Sequence, residues 1–399
     1  MARGLIILFA VAVGLAVANN YLAQPLLETL RVRFGVSTVV AGLLVTAAQA
    51  GYCLGLLLLT PLGDLLERRR LIVTLGLLTT AFLAGAAFAP SIGFLMAAVA
   101  LIGFTSVMAQ ILVPFAATLA GDAERGSVVG TVMSGLLLGI LLARAVSGAI
   151  AQAAGWRSVY IVAAGAMLIM TGLLSWRLPR QKVESGLTYP RLLASVLKIA
   201  RTEPKLQERA IYGGLSFAAI TTVLATLAFL LSGAPYHWNE GAIGLFTLFG
   251  VGGAMMAIVT GRLNDRGWTR ALTVVMPAIM ASGYVLLWLG RWSLAPLIVG
   301  FVLTDLAGQA VHITNQSVIY AMQPEARSRI NAVYMTSCFI GMTFGSFAAA
   351  LAYASFGWTG VCILGGCFAG AMLPVRGLVW LRERRSSPGA AVSQRSPGR

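Results

Sequence analysis

The residues with the clearest chemical capacity form a polar stripe within the apolar stretch 294–317. Asp305, Gln309, His312 and Gln316 follow one another at spacings of four, three and four residues, which places them on one face of an α-helix. A carboxylate and an imidazole on one face can bind and release protons. We hypothesise that Asp305 is the proton-binding group and that His312 modulates it or contacts a substrate.

Two other interpretations of this stripe stay open. A hydrogen-bond network buried between helices would use the same four residues, and His312 by itself is equally compatible with a hydrogen-bonded interior histidine. Asp305 is the only acid well inside an apolar stretch of the sequence. A charged side chain at the middle of a bilayer costs about 2.5–3.5 kcal/mol, so it is expected to face a cavity or a partner.

Arg144 is the only basic residue well inside an apolar stretch of the sequence, here 127–151. It would hold an anionic substrate or balance the charge of Asp305. Alternatively, it would extend to the membrane interface and bond helix carbonyl groups.

Further candidates for a substrate cavity are hydrogen-bonding side chains in two other apolar stretches: Asn20, Tyr21, Gln24 and Gln110. An offset of 202 residues maps His312 onto Gln110, so the two would occupy equivalent places in a duplicated chain. The three residues near position 20 precede Pro25, which would interrupt a helix there. They would either contact substrate or cap the helix end.

The elements that carry these residues are membrane spans. The 399-residue chain is 58% hydrophobic and 11% charged, with a mean hydropathy of +0.85. A hydrocarbon core of roughly 30 Å needs about 20 apolar helical residues. We therefore predict an all-α membrane protein with twelve spans in two groups of six. The predicted spans are 5–27, 37–61, 71–90, 92–118, 127–151, 158–176, 210–232, 241–261, 272–289, 294–317, 330–354 and 359–380.

Charge distribution predicts the orientation. With the amino terminus inside, 24 of the 29 Lys and Arg residues fall in cytoplasmic segments, and outer loops keep Arg31, Arg33, Arg157 and Arg291. The positive-inside rule therefore places both termini in the cytoplasm.

A repeated charged loop indicates that the chain is internally duplicated. The first copy contains Asp64, Arg68 and Arg69, and the second contains Gly261, Asp265, Arg266 and Arg270. The two aspartates are 201 residues apart, and the pair Gly155-Trp156 recurs as Gly357-Trp358. We predict halves at 1–176 and 210–381. The loops would act as a cytoplasmic gate that favours one closed state, or they would only retain positive charge inside.

The segments outside the two halves have different compositions. Residues 177–209 alternate apolar and basic side chains, which predicts a linker with an amphipathic helix on the inner membrane surface. Residues 382–399 are rich in Ser, Pro, Gly and Arg, which predicts a disordered cytoplasmic tail.

Several function classes are disfavoured. The basic residues are dispersed, which argues against nucleic-acid binding, and no Gly-x-x-x-x-Gly-Lys loop is present for ATP. The four cysteines lie in apolar runs, and the two histidines, His237 and His312, have no nearby ligands for zinc. No spacing indicates a nucleophile with its base. We expect no metal, no cofactor and no enzymatic activity.

With these motifs in place, the chain resembles the major facilitator superfamily over essentially its whole length. The resemblance rests on two six-span halves, a central loop and the two Gly-x-x-x-Asp-Arg-like loops. The segments 19–27 and 134–144 are similar to those of bacterial drug/proton antiporters of the acriflavine-sensitivity branch. Thr60, Leu65 and Ala143-Arg144 depart from the family pattern. The resemblance implies a pathway lined by spans 1, 4, 7 and 10, and a functional monomer.

From residues and resemblance together, we expect a multi-pass transporter of the bacterial inner membrane. The first expectation is proton-coupled efflux of a small organic compound by alternating access, because one cavity carboxylate can hold a cation or a proton. Uptake of a polar metabolite, by proton symport or facilitation, is the alternative within transport. A membrane sensor or scaffold without transport is the alternative from another class.

Overall fold

A computed structural model describes residues 3–121, 124–180, 188–322 and 327–386, and these contain helices and no strands. Spans 1–6 are Arg3–Ala18, Thr38–Leu58, Arg68–Ala87, Ile92–Leu119, Arg125–Ala154 and Trp156–Arg177. Span 7 is Pro204–Ser232. Span 8 is a broken helix that consists of Glu240–Phe246, the 3-10 helix Thr247–Gly250 and Val251–Asp265. Spans 9 and 10 are Thr269–Leu289 and Leu294–Tyr320. Helix Arg327–Ser386 bends at Gly357 into spans 11 and 12. The predicted fold of twelve spans is confirmed.

Span 1 differs from the prediction because it does not run continuously to residue 27. It stops at Ala18, and the chain continues through a turn into the 3-10 helix Gln24–Leu26 and the short helix Leu27–Phe34. Pro25 lies in the first turn of the 3-10 helix, where its missing N–H is harmless. The break leaves side chains 19–24 inside the protein at a place where the backbone is irregular.

Local signals explain several other helix ends. The side chains of Ser37, Ser91 and Asn239 accept hydrogen bonds from the backbone N–H groups of residues three positions later, as N-caps do. Gly155 and Gly357, at equivalent places in the two halves, have φ angles of 84° and 60°. Glycine adopts this region without strain, so the repeated Gly-Trp pair marks the same sharp turn between consecutive spans.

Span packing repeats between the halves. Spans 1, 2 and 3 pack against spans 5, 4 and 6, and spans 7, 8 and 9 pack in the same way against spans 11, 10 and 12. The halves meet where span 2 packs against span 11 and span 5 against span 8. We call the side that carries Arg3 and Ser386 the terminal side, and the opposite side the distal side.

The linker helix is Tyr189–Thr202, within the predicted segment 177–209. Part of that segment, 181–187, lies outside the described residues. The apolar side chains Val196 and Ile199 pack against the terminal ends of spans 7, 10 and 11, and the Tyr189 hydroxyl donates to the Leu58 carbonyl of span 2 at 2.8 Å. The helix therefore contacts both halves. The helix that contains span 12 continues to Ser386, and 387–399 of the predicted tail lie outside the described residues.

Glycines allow the backbones of spans 1 and 5 to approach each other closely. A Cβ atom at Gly139 would lie 2.3 Å from the carbonyl oxygen of Gly14. A Cβ atom at Gly14 would lie 2.7 Å from the carbonyl oxygen of Gly135. Small residues of this kind permit close backbone approach where lipid supplies no hydrophobic driving force. The contact fixes span 5, and with it Arg144, against span 1.

We predict that Gly139→Ala lowers the free energy of unfolding by about 1–3 kcal/mol, because the added methyl forces the two helices apart. The measurement is thermal or denaturant unfolding of the purified protein in detergent. Gly130→Ala is the matched control, since a Cβ at Gly130 of the same helix meets nothing within 4 Å. Equal stability of the two variants would contradict this packing.

Candidate functional site

The polar stripe of span 10 lies at the accessible edge of a packed helix. Asp305, Gln309, His312 and Gln316 are each partly exposed, whereas Ala307 and Val311 on other faces are buried. The Asp305 side chain points toward span 8, because a Cβ atom at Gly250 would lie 3.5 Å from its Oδ2. The proposed proton-binding carboxylate is thus placed beside the break in span 8.

Arg144 approaches the same region from the other half. Only 7% of its surface is exposed, and its backbone carbonyl oxygen would lie 2.5 Å from a Cβ atom at Gly244 of span 8. Gly244 and Gly250 are six residues apart, or roughly 9 Å along a helix. Arg144 and Asp305 interact electrostatically with each other. Within the described ranges, they form no ion pair at an N–O distance of 4.0 Å or less.

The guanidinium of Arg144 is held in place by two residues of the broken region after span 1. Its Nε donates to Oε1 of Gln24 at 2.5 Å, and its Cζ lies 4.7 Å from the centre of the Tyr21 ring, a cation–π arrangement. Extension of Arg144 to the membrane interface, which the sequence left open, is therefore not its conformation. The side chain points inward and is fixed from two directions.

A cluster of buried amides adjoins Tyr21 and Gln24. Asn20 Nδ2 donates to Gln49 Oε1 at 3.1 Å, and both residues are at least nine-tenths buried. Four amide atoms here have no hydrogen-bond partner among the described residues: Asn19 Nδ2, Asn20 Oδ1, Gln24 Nε2 and Gln49 Nε2. Each unsatisfied buried polar group costs about 1–3 kcal/mol. Such a concentration of unused donors and acceptors is typical of a place that hydrates or binds a ligand in another state.

Gln110 contributes from span 4. Its Nε2 donates to the Tyr52 hydroxyl at 3.2 Å, and the Tyr52 ring stacks on Phe339 of span 11 at a centroid distance of 4.4 Å. Gln110 therefore supports an aromatic contact between the halves. Its equivalence to His312 also has a structural counterpart, because each of the two is bonded to a tyrosine hydroxyl.

His312 belongs to a hydrogen-bond network inside the second half. Its Nδ1 lies 3.0 Å from the Tyr334 hydroxyl, to which Asn315 also donates at 3.4 Å. Arg209, buried at the start of span 7, donates to Asn315 Oδ1 at 3.3 Å and to Thr273 at 3.1 Å. The network joins spans 7, 9, 10 and 11, so His312 is a hydrogen-bonded interior histidine that is also partly exposed on the polar stripe.

Sequence reasoning missed several members of these clusters, among them Gln49, Arg209 and Tyr334. Gln49 is the single amide of span 2, and its contact with Asn20 reveals its role. Arg209 was counted with the linker, but span 7 begins at Pro204. Tyr334 resembles any aromatic residue of an apolar span. The adjacent pair Glu208-Arg209 at the border of an apolar run was the available signal.

The predicted gate residues lie on the terminal side within their own halves. Arg68 donates to the Gly63 carbonyl and to Thr118 of span 4, both at 3.1 Å, and Arg69 donates to the Ser175 carbonyl of span 6. The Asp64 side chain lies outside the described residues. Gly261, Asp265, Arg266 and Arg270 end span 8 or begin span 9. A gating role for these residues stays a prediction, because the bonds of the first loop stabilise one half.

Comparison with known proteins identifies the family. Residues 9–295 and 233–398 match the Major Facilitator Superfamily. The chain belongs to the Major Facilitator Superfamily.

Relatives that are named as transporters match nearly the whole chain. The chain is 46% identical over 383 residues to the putative uncharacterized transporter YgaY of Escherichia coli K12, covering 96% of each chain. It is 32% identical to the probable transporter SCO4007 of Streptomyces coelicolor, covering 92% of this chain and 85% of that one. The chain is therefore a membrane transporter.

Solved structures agree on the fold of this superfamily. A bacterial homologue of the lysosomal transporter Spinster, in an inward-facing and occupied conformation, superposes with a TM-score of 0.77 at 12% identity and covers 95% of this chain and 96% of that one. A point mutant of the nucleoside transporter NupG gives a TM-score of 0.77 at 11% identity, with 94% and 99% coverage.

In this superfamily member, the distal side is closed by contacts between the halves. The Thr29 hydroxyl donates to Oε1 of Glu240, and a Cβ atom at Gly148 would lie 2.2 Å from the Glu240 carbonyl oxygen. Beneath them, Gln24, Arg144, Leu224 and Ile243 line a cavity of only about 10 Å³, too small to admit a substrate. Access from the distal side therefore requires Thr29 and Glu240 to separate.

We predict that Thr29→Val opens the distal side more often, because it removes a hydrogen bond worth about 0.5–1.5 kcal/mol. The reporter is Ala228→Cys in a cysteine-free background, since Ala228 lines the same cavity and is 1% exposed. Labelling of this cysteine by a water-soluble maleimide should be about 2–10 times faster in the valine variant.

Thr29→Ser is the matched control, because it keeps the hydroxyl group, and it should be labelled at the rate of the parent. Unchanged labelling of the valine variant would show that this hydrogen bond does not hold the distal side closed.

Proposed function

We propose that this protein is a proton-coupled transporter that exports a small organic compound in exchange for protons. The observation that carries the proposal is the placement of Asp305 and Arg144 on opposite halves, beside the break in span 8 and within electrostatic reach of each other. Alternating access moves the two halves relative to each other. A charge pair between the halves is therefore placed where its occupancy can influence that movement.

Exchange follows from competition at one carboxylate. Asp305 can bind a proton or a positively charged group of the substrate, but not both at once. We take the empty, ionised carboxylate to disfavour the change between the inward-open and outward-open states. Each change of state then carries either a substrate or a proton, and the proton gradient drives export.

The remaining predicted residues have supporting roles in this proposal. Gln309, His312 and Gln316 line the pathway on span 10, and Gln110 on span 4 faces it from the first half. The loops at 64–69 and 261–270 close the terminal side when the distal side opens. We further propose a bacterial inner-membrane location, both termini in the cytoplasm, and a monomer as the working unit.

The direction of proton movement tests the proposal. Purified protein is reconstituted into vesicles that contain a pH indicator, and a panel of organic compounds is added outside. Exchange predicts that entry of a transported compound makes the vesicle interior more alkaline, because protons leave as the compound enters. Acidification of the interior would instead establish symport, and movement of a compound without any pH change would establish facilitation.

We predict that Asp305→Asn abolishes transport driven by a pH gradient, whereas exchange of labelled for unlabelled substrate persists at a raised substrate concentration, because the amide binds a positively charged group more weakly. The amide still donates and accepts hydrogen bonds, but it cannot carry a proton at physiological pH. Glu203→Gln, which removes an acid at the end of the linker helix, is the matched control and should behave as the parent. Undiminished gradient-driven transport by the asparagine variant would remove Asp305 from this role.

A further inference from the structure

The region between Arg144 and Asp305 contains two opposite charges that are not joined. Their groups influence each other, yet no direct ion pair forms between them in the part of the chain that the structure describes. In a low-dielectric interior, two opposite charges this near would gain energy by meeting. The cavity at Arg144 is only about 10 Å³ in this closed state, so a molecule that contacts both charges would enter when the halves move apart.

Arg144 is prepared to receive an anionic group. Gln24 holds its Nε and the Tyr21 ring lies beneath it, so the planar guanidinium is fixed before any ligand arrives. Of the three guanidinium nitrogens of Arg144, only Nε forms a hydrogen bond to a side chain or carbonyl group of the residues that the structure describes. The two terminal nitrogens form the edge that pairs with a carboxylate through two parallel hydrogen bonds.

Unused amide atoms lie on the segment that holds this arginine and on the neighbouring Gln49 of span 2. Gln24 Nε2 and Gln49 Nε2 are donors without partners among the described residues, and Asn20 Oδ1 is an unused acceptor. All three side chains are nine-tenths or more buried, so their unmet hydrogen bonds are costly. The donors suit the oxygens of a carboxylate, independently of the charge on Arg144.

Asp305 provides the complementary side. Its carboxylate is partly exposed and approaches the glycine at position 250, where span 8 offers no side chain. A positively charged group, such as an ammonium, could approach it through this gap.

We infer that the transported compound is a zwitterion, with a carboxylate bound by Arg144 and the amides and an ammonium bound by Asp305. This inference rests on the proposed exchange of substrate for protons at Asp305. It also accounts for the arginine. A simple cation at Asp305 would be repelled by Arg144 and a simple anion at Arg144 would be repelled by Asp305, whereas a zwitterion satisfies both charges.

The test uses compounds that differ in charge and little in shape. Leucine is a zwitterion, leucinamide a cation, N-acetylleucine an anion and N-acetylleucinamide neutral. The same four forms are prepared on the skeletons of serine and phenylalanine to vary the size and polarity of the side chain. Binding to the purified full-length protein is measured as the ligand-dependent rise in the thermal unfolding midpoint, which follows occupancy of the native state.

We expect at least one zwitterion to bind about tenfold or more tightly than the other three forms of its skeleton. Arg144→Gln should weaken its binding at least about tenfold, because a charge-assisted hydrogen bond is lost. Arg144→Lys should restore the charge and only part of the affinity, since lysine lacks the planar edge.

Two further variants make the result specific. Gln49→Leu removes the unpaired Nε2, together with the acceptor of the Asn20 hydrogen bond, without changing any charge. It should weaken binding of the same zwitterion several-fold even if the Arg144 variants fold poorly. Arg157→Met is the matched control. Arg157 lies over Trp156 at the distal end of span 6, away from the proposed site, and its loss should leave binding unchanged.

The inference is overturned if no zwitterion binds, or if an amide or acetylated form binds as tightly as its zwitterion. The proposed function fails separately, in the vesicle experiment, when no compound moves protons. A cation that makes the vesicle interior alkaline would therefore keep the exchange mechanism and reject the zwitterion.

Discussion

The cost of placing a charge inside a bilayer is the constraint on which the arrangement of this protein depends. Asp305 lies near the middle of span 10 and Arg144 in the distal half of span 5, and a charge at the middle of a bilayer costs about 2.5–3.5 kcal/mol unless it is compensated. The structure meets this cost by bringing the two residues to one region from opposite halves. The broken segment after span 1 holds Arg144 through Gln24 and Tyr21, and the break in span 8 faces Asp305 at Gly250.

Duplication of the chain explains how the region can be both central and adjustable. Each half is a rigid set of helix pairs joined by glycine contacts, such as Gly14 with Gly139 and Gly214 with Gly341. The halves meet through fewer elements, among them Tyr52 stacked on Phe339 and Thr29 bonded to Glu240. Strong packing within halves and separable contacts between them are what a movement of one half against the other requires.

The fold could be predicted from the sequence because membrane spans have a strong hydropathy signal and because the repeated loops and Gly-Trp pairs are 201 or 202 residues apart. The two central charges were also found, since a charged residue stands out in an apolar run. Gln49 and the network from Arg209 to His312 could not be found in this way. Their significance comes from contacts across 19 to 106 residues, which no local spacing encodes. The conformation of Arg144 likewise depends on Gln24, 120 residues away.

The central claim, that Arg144 and Asp305 act as one site, is tested most directly by a double-mutant cycle. The free energy of unfolding in detergent is measured for the parent, Arg144→Gln, Asp305→Asn and the variant that carries both changes. Coupled charges predict that the double variant loses at least about 1 kcal/mol less than the sum of the single losses, because each single change leaves an uncompensated charge. Losses that add to within about 0.5 kcal/mol would show that the two residues are independent and would contradict the claim.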